Sequence, residues 1–173
     1  MAMTLYQRAI GLRSSQKGKH GAELFNNIGG LYYRMQEYQQ AVSAFDKAIG
    51  LIPEYEPPHY GKVLSLAKLG RLETALQHLN LMLSSPVYSK VRPLNLTGAL
   101  LIKQGRYKEA VFYLNEAQKI APENRDMSVW LAVALSRLGR HQQSERILKS
   151  ALRFSPRDID LHMALIENYL SED

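Results

Sequence analysis

The residue types that most often perform catalysis or bind metals are present in this sequence, but they are not grouped. The histidines form neither an HExxH pattern nor a pair at metal-ligand spacing; they are His20, His59, His78, His141 and His162. No glycine-rich loop ends in Lys-Ser or Lys-Thr, so a phosphate-binding loop of that type is absent. Cysteine is absent, which excludes disulfides, thiolate metal sites and a cysteine nucleophile. We therefore expect a protein that is not an enzyme and that uses neither a metal nor a cofactor.

Charge is distributed unevenly along the chain. The formal net charge is +6, and residues 57–122 contain nine Lys and Arg residues but only three acids. The bases are Lys62, Lys68, Arg71, Lys90, Arg92, Lys103, Arg106, Lys108 and Lys119. A basic middle favours an acidic partner or surface, although a simple excess of solubilising charge would have the same composition.

Nothing in the sequence has the length and hydropathy of a membrane-spanning segment. No apolar run approaches the roughly 18 to 20 residues that a span needs. The first residues lack the charged and apolar regions of a signal peptide. With no cysteine to oxidise, the chain is compatible with a reducing compartment, and we expect a cytoplasmic location without direct membrane insertion.

Three columns of residues recur at a spacing of about 34, which indicates internal repeats. One column is Ala2, Ala41, Ala75, Ala110 and Ser144; another is Gly70, Gly105 and Gly139; the third is Pro53, Pro86, Pro122 and Pro156. The first eleven residues after the initial Met, AMTLYQRAIGL, repeat the pattern of AVSAFDKAIGL at 41–51. Residues 2–12 therefore look like the second half of a repeat.

Each repeat is expected to contain two helices. Phe25, Ile28 and Tyr32 recur at steps of three and four residues, which predicts an amphipathic helix. A second apolar stripe continues through Ala41 and Phe45, and a proline follows its end. The glycine-containing breaks are too short for anything except antiparallel neighbours. Small residues at Gly29, Gly98 and Ala132 would let the two backbones approach closely, and such pairs must stack to bury their apolar faces.

The pattern resembles the tetratricopeptide repeat (TPR). Residues 22–53 match it best, through Phe25, Ile28, Gly29, Tyr32, Ala41, Phe45, Ala48 and Pro53. The resemblance covers almost the whole chain. It implies an all-α fold: a right-handed superhelical solenoid of antiparallel helix pairs, with about nine to ten helices in one domain, 1–173.

The expected segments are an incomplete repeat whose second helix is 2–12, repeats at 22–55, 56–90, 91–124 and 125–158, and a capping helix or half repeat at 159–170. The opening half repeat suggests a fragment of a longer array, with possible self-association through exposed repeat ends. Compact, alanine-rich repeats with few insertions suggest a bacterial protein.

In such arrays the first helix of each repeat lines a concave groove that holds peptides. The resemblance implies groove positions at Asn26, Asn27, Tyr33, Arg34, Tyr60, Leu64, Lys68, Arg92, Asn95, Ile102, Lys103, Val129, Trp130, Val133 and Arg137. Asn26 and Asn27 can hydrogen-bond a peptide backbone, while Tyr33 and Tyr60 offer broad faces with a polar tip. Arg34, Lys68, Lys103 and Arg137 form a basic column that is common in the family.

Two details of this groove can be judged from the residues. Some TPR co-chaperones hold the acidic C-terminal tail of heat-shock chaperones with a carboxylate clamp. Here Asn26, Gly30, Gly61 and Leu96 occupy clamp positions, and only Arg92 fits, so we expect no binding to such tails. Trp130, the only tryptophan, either lies in the groove as an anchor or packs against the next helix near Met163.

The sequence therefore predicts a non-catalytic scaffold that binds a protein or peptide segment in its groove. One alternative is an assembly module that uses the array ends. Another is a regulatory docking arm of a larger enzyme, with or without a link to a membrane. Nucleic-acid binding is not expected, because no pair of base-reading residues repeats from unit to unit.

Overall fold

The computed structural model describes residues 18–171, and every regular element in that range is an α-helix. The helices are α1 (Gly18–Arg34), α2 (Tyr38–Leu51), α3 (Glu56–Lys68), α4 (Leu72–Ser84), α5 (Val91–Lys103), α6 (Tyr107–Ile120), α7 (Arg125–Arg137), α8 (His141–Phe154) and α9 (Ile159–Leu170). The prediction of an all-α fold is confirmed. The predicted helix at 2–12 lies outside the described residues.

Within each helix pair, the chain reverses through a residue in the left-handed conformation. Gly70, Gly105 and Gly139 have φ of 75°, 74° and 71°, and Gln36 has φ of 62° at the corresponding break between α1 and α2. The N–H of the following residue then donates to a carbonyl near the end of the first helix, at 2.9 Å in the pairs Glu37–Tyr32, Arg71–Leu66, Arg106–Leu101 and Arg140–Leu135. These bonds satisfy carbonyls that the helix end would otherwise leave unpaired.

The chain divides into two compact units, Met1–Tyr88 and Ser89–Asp173. In the first unit, the buried ring of Phe45 on α2 lies between two glycines. A Cβ at Gly29 on α1 would lie 2.5 Å from this ring, and a Cβ at Gly61 on α3 would overlap it. Both helices therefore approach α2 more closely than any side chain would allow.

The second unit contains α5 to α9. Leu114 on α6 fills the space over Gly98 on α5, where an added Cβ would collide with it. A core cluster then joins α7, α8 and α9 through Ala132, Leu148, Ala151, Leu161 and Ala164. Helices α7 and α9 also contact each other directly, which places the first helices of successive predicted repeats side by side. The predicted limits of the individual repeats stay predictions.

Candidate functional site

Helix α7 buries one face and leaves the other open. The side chain of Asn124 caps its start by accepting a hydrogen bond from the N–H of Met127 at 3.2 Å. Met127 and Leu131 are each 1% exposed and hold α7 to the core. At 100° per residue, Val133 falls about 140° and Trp130 about 80° around the helix from the midpoint of Met127 and Leu131. The sequence of α7 thus fixes the helix by one face and presents Val133 and Trp130 outside that face.

Helix α9 is positioned by the same means. The carboxylate of Asp158 accepts a hydrogen bond from the N–H of Leu161 at 3.0 Å. This hydrogen bond, followed by the contacts with Arg125, holds the pKa of Asp158 below its ordinary value. Leu161 and Ala164 are buried in the core cluster with Ala132. Because α9 packs on both α7 and α8, one side of α9 faces the part of α7 that is not packed into the core.

A cleft of about 430 Å³ lies between α7 and α9. It is lined by Arg125, Asp126, Val129, Trp130 and Val133 from α7, and by Asp160, Met163, Ala164 and Glu167 from α9. The side chains of Trp130 and Met163 are 39% and 51% exposed. Trp130 on α7 and Met163 on α9 therefore line the same cleft.

Charged groups surround the apolar part of this cleft. The guanidinium of Arg125 lies 3.0 Å from carboxylate oxygens of Asp126 and Asp160, and 3.3 Å from one of Asp158. Hydrogen bonds to Asp126 and then to Asp158 raise the pKa of Arg125. Glu167 has no ion-pair partner in the part of the chain that the structure describes. The rim is therefore dominated by carboxylates.

A second, more polar pocket of about 540 Å³ adjoins the cleft and shares Val133, Ala164 and Glu167 with it. Its other lining residues are Ala132, Ser136, Arg137, His141, Ser144, Asn168 and Ser171. The hydroxyls of Ser136 and Ser171 are 2.9 Å apart, and each lies 3.4 Å from Nδ1 of His141. These long contacts and the absence of a described group orienting the imidazole give no arrangement for nucleophilic catalysis.

The structure brings together only some of the residues that the sequence predicted for the groove. Val129, Trp130 and Val133 meet in the cleft, and Arg137 lies in the adjoining pocket. The predicted positions on α5 line neither space; they are Arg92, Asn95, Ile102 and Lys103.

In the first unit the predicted groove positions lie on α1 and α3. The residues on α1 are Asn26, Asn27, Tyr33 and Arg34, and those on α3 are Tyr60, Leu64 and Lys68. The rings of Tyr33 and Tyr38 meet edge to face, 5.5 Å between centroids. Asn27, Arg34, Leu64 and Lys68 are exposed.

The prediction that Tyr60 offers a broad face to a ligand is wrong. Its side chain is 3% exposed, and its hydroxyl lies 3.4 Å from a carboxylate oxygen of Glu56. Helix α3 packs against α1, α2 and α4, so a large side chain at this position is enclosed by neighbouring helices.

Half of the cleft was missed because the predicted groove ended with the fourth repeat. Asp160, Met163, Ala164 and Glu167 line the α9 side. Each lies one 34-residue repeat after a lining residue of α7: Asp126, Val129, Trp130 and Val133 respectively. Extending the same column by one repeat would have found all four.

Two histidines near helix starts, His59 on α3 and His162 on α9, each have a backbone hydrogen-bond partner. Nε2 of His59 donates to the carbonyl of Pro53 at 2.7 Å, and Nε2 of the exposed His162 donates to that of Pro156 at 2.9 Å. His59 is buried, and its Nδ1 accepts from Nε2 of His78 at 2.9 Å. Among residues 18–171, no three potential ligands are grouped to hold a metal ion.

Along residues 18–171, no helix combines the length and the apolar character required to cross a bilayer.

Two family models, both for the tetratricopeptide repeat, match the sequence over residues 22–55 and 101–166. Together they span more than half of the chain. The chain therefore belongs to the tetratricopeptide repeat family, as its repeat pattern predicted. No curated protein matches the sequence.

Solved structures with the same fold support this assignment. A TPR protein from Parabacteroides merdae has a TM-score of 0.81 at 20% identity, covering 98% of this chain and 65% of its own. MamA from Desulfovibrio magneticus has a TM-score of 0.73 at 21% identity, covering 88% and 85%. YrrB, described as a TPR protein with an unusual peptide-binding site, has a TM-score of 0.67 at 17% identity, covering 95% and 82%. The predicted solenoid of helix pairs is confirmed.

Family membership also gives the general class of function. The chain is a protein–protein interaction module, and the expected partners are proteins or peptides. Tetratricopeptide repeat proteins are generally scaffolds without catalytic activity.

Proposed function

We propose that this chain is a non-catalytic module that binds a segment of a partner protein in the cleft between α7 and α9. The observation that carries the proposal is the partly exposed ring of Trp130 beside Met163 in an open cleft. Trp130 anchors the segment, and Val129, Val133 and Met163 form the apolar surface around it.

The energetic reason is the unburied surface of these four side chains. Removing apolar surface from water contributes about 25 cal/mol per Å², and a tryptophan ring contributes more area than any other side chain. Large aromatic anchors are commonly the residues whose truncation costs an interface about 2 kcal/mol or more. Core contacts already hold the backbone of α7 and α9, so little ordering of the cleft is needed on binding.

Other observations make a peptide segment the better partner class. The cleft lies between α7 and α9 and continues into the polar pocket through Val133, Ala164 and Glu167. A continuous path of this kind suits an extended or helical segment with successive side chains. The description of YrrB as having a peptide-binding site is consistent with this class of ligand on the same fold. The remaining groove positions on α1, α3 and α5 stay predicted contacts.

Selection from a random peptide library on the purified chain tests the proposal. Selected peptides are then measured against Trp130→Ala and against the control Phe112→Ala. Phe112 on α6 is 62% exposed and lies outside the cleft, so the two variants remove comparable exposed aromatic surface. We expect Trp130→Ala to weaken binding about 30-fold, the equivalent of 2 kcal/mol, and Phe112→Ala to leave it unchanged. Equal affinity for wild type and Trp130→Ala would show that the cleft is not the binding site.

A second candidate function, self-assembly, is favoured by one feature of α9. Ile159, Met163, Ile166 and Leu170 form a stripe opposite its buried face, and each is at least 50% exposed. Two copies of α9 packed antiparallel would place these stripes against each other in a symmetric contact. Sedimentation of wild type beside Ile166→Gln tests this. A dimer that the substitution disperses supports assembly, and a monomer at high concentration rejects it.

A further inference from the structure

We infer that the segment bound between α7 and α9 is basic, with an apolar anchor flanked by lysine or arginine. This inference rests on the proposed function of the cleft and adds the chemistry of its partner. It differs from the expectation that the basic composition of the chain suggests, namely an acidic partner.

The charge around the cleft is the first reason. Asp126, Asp160 and Glu167 line it, and Arg125 is the only lysine or arginine among its described lining residues. Three acids therefore surround an apolar floor on both sides, Asp126 from α7 and the other two from α9.

The arginine does not restore neutrality. Its guanidinium is already shared by Asp126 and Asp160 at 3.0 Å and by Asp158 at 3.3 Å. One positive charge thus faces three carboxylates before Glu167 is counted. A ligand approaching this rim meets a negative potential, while the Arg125 side chain is held in place by its carboxylate partners.

The cleft also lies outside the basic part of the sequence. The lysine and arginine excess falls in residues 57–122, whereas the lining residues fall between 125 and 167. Arg137 lines the adjoining pocket, where Glu167 is also present. Net charge of the whole chain therefore predicts the wrong sign for this site.

Rim charges of this kind affect the choice of partner more than they affect the affinity of the apolar anchor. The centre of an interface supplies most of the affinity, while the charged rim stays solvated and selects by complementarity. Each exposed ion pair contributes only about 0.2 to 1 kcal/mol, so several are needed for a clear preference. A segment with bases on both sides of its anchor can reach the acids of α7 and α9 together.

Trp130 allows a direct test because it is the only tryptophan in the chain. Its emission, excited where tyrosine does not absorb, reports on the cleft alone. The probes are three short peptides without tryptophan or tyrosine. All carry the same central leucine pair, flanked by lysines in the first, by glutamines in the second and by glutamates in the third. Each is titrated into the full chain at low and at high salt.

The lysine peptide is expected to shift the emission of Trp130 with at least tenfold higher affinity than the glutamine peptide at low salt. The glutamate peptide should bind more weakly still, and added salt should reduce the difference. Asp160→Asn with Glu167→Gln should weaken the lysine peptide about fivefold and leave the glutamine peptide unchanged. The control, Glu109→Gln with Glu116→Gln on α6, makes the same change in net charge away from the cleft and should have no effect.

The outcomes separate the two proposals. If the lysine and glutamine peptides bind equally, or if the glutamate peptide binds best, the cleft is a binding site and the basic partner is wrong. If no peptide changes the emission of Trp130, the cleft fails as a binding site and both proposals fall. If the α6 control weakens the lysine peptide as much as the cleft variant does, the preference comes from net charge and not from the rim.

Discussion

Helices α3 and α7 occupy corresponding places in two predicted repeats, yet the column that the ring of Phe45 covers on α3 is open on α7. Tyr60 and Gly61 on α3 stand in the columns of Val129 and Trp130 on α7. On α3 the tyrosine is 3% exposed and the glycine lies under the ring of Phe45. On α7 the tryptophan is 39% exposed and lines a cleft.

The difference shows that a repeat column fixes a place on a helix but not its accessibility. The glycine at position 61 lets α2 approach until the ring of Phe45 fills the place of a side chain. A tryptophan at the same place keeps the space open. Whether a groove position is accessible therefore depends on local packing, namely on whether the large side chain belongs to the first helix itself or to a neighbouring helix.

The largest effect on stability should come from truncating Tyr60, the buried side chain on α3. Tyr60→Ala leaves a cavity in the first unit and should lower the free energy of unfolding by about 3 kcal/mol or more. Trp130→Ala removes a side chain that is 39% exposed and should cost less than Tyr60→Ala, about 1 to 2 kcal/mol. Chemical denaturation of both variants measures this. Similar losses of stability would mean that the two positions do not differ in burial.

The glycine under Phe45 gives the next largest effect. Gly61→Ala places a methyl group against a ring that Gly29 confines from the other side, so the ring cannot move away. We expect a loss of about 2 kcal/mol from overpacking. The control is Gly30→Ala on α1, where an added Cβ meets no atom within 4 Å. That variant should gain up to about 1 kcal/mol from helix propensity. Equal effects at both glycines would contradict the close packing of α3.

The stability of the first unit, which contains α3 and α4, should also depend on pH. Burial, and then the positive charge of Lys62, lower the pKa of His78 to about 4. The pKa of His59 is also lowered, chiefly by burial. The unfolded chain therefore binds more protons between about pH 6.5 and pH 4, so stability is lost as the pH falls through that window. Because His78 is partly exposed, we expect a loss on the order of 2 kcal/mol. Denaturation of wild type and His78→Gln across this range measures it, and an unchanged slope in the variant would remove the assignment to His78.

The smallest effect concerns how each helix starts. The side chain of Asn124 caps α7, whereas Tyr55 provides no side-chain cap to α3, which has prolines in its first turn. Asn124→Ala should cost about 1 kcal/mol and increase amide exchange at the first turn of α7. Tyr55→Ala, lacking any cap to lose, should leave exchange in the first turn of α3 unchanged. Increased exchange in both helices would mean that the cap is not what holds α7.

The sequence predicted the fold well because its signals are local and repeated. Glycine at 70, 105 and 139 marks three of the four breaks within helix pairs, and apolar steps of three and four residues mark the helices. The family match supports the same assignment. Trp130 was singled out because it is the lone tryptophan in a predicted groove column, and it lines the cleft.

The rest of the site could not be predicted, because it depends on contacts between helices that the repeat pattern does not specify. Tyr60 belongs to the same column as Val129, and only the packing of α3 against three helices shows that it is buried. The charge of the rim depends on the ion pairs that Arg125 forms with Asp158 and Asp160, which lie more than thirty residues further along the sequence. Composition indicated a basic molecule, which describes the chain but not the cleft.

The most direct test of the account is to map a bound peptide on the chain by NMR. A library-selected peptide is titrated into isotope-labelled protein, and the backbone amide shifts are followed by residue. Binding in the cleft predicts that the largest changes fall in residues 126–133 of α7 and 160–167 of α9, together with the indole N–H of Trp130. The largest changes in α1 to α4, with Trp130 unaffected, would contradict the assignment of the binding site to this cleft.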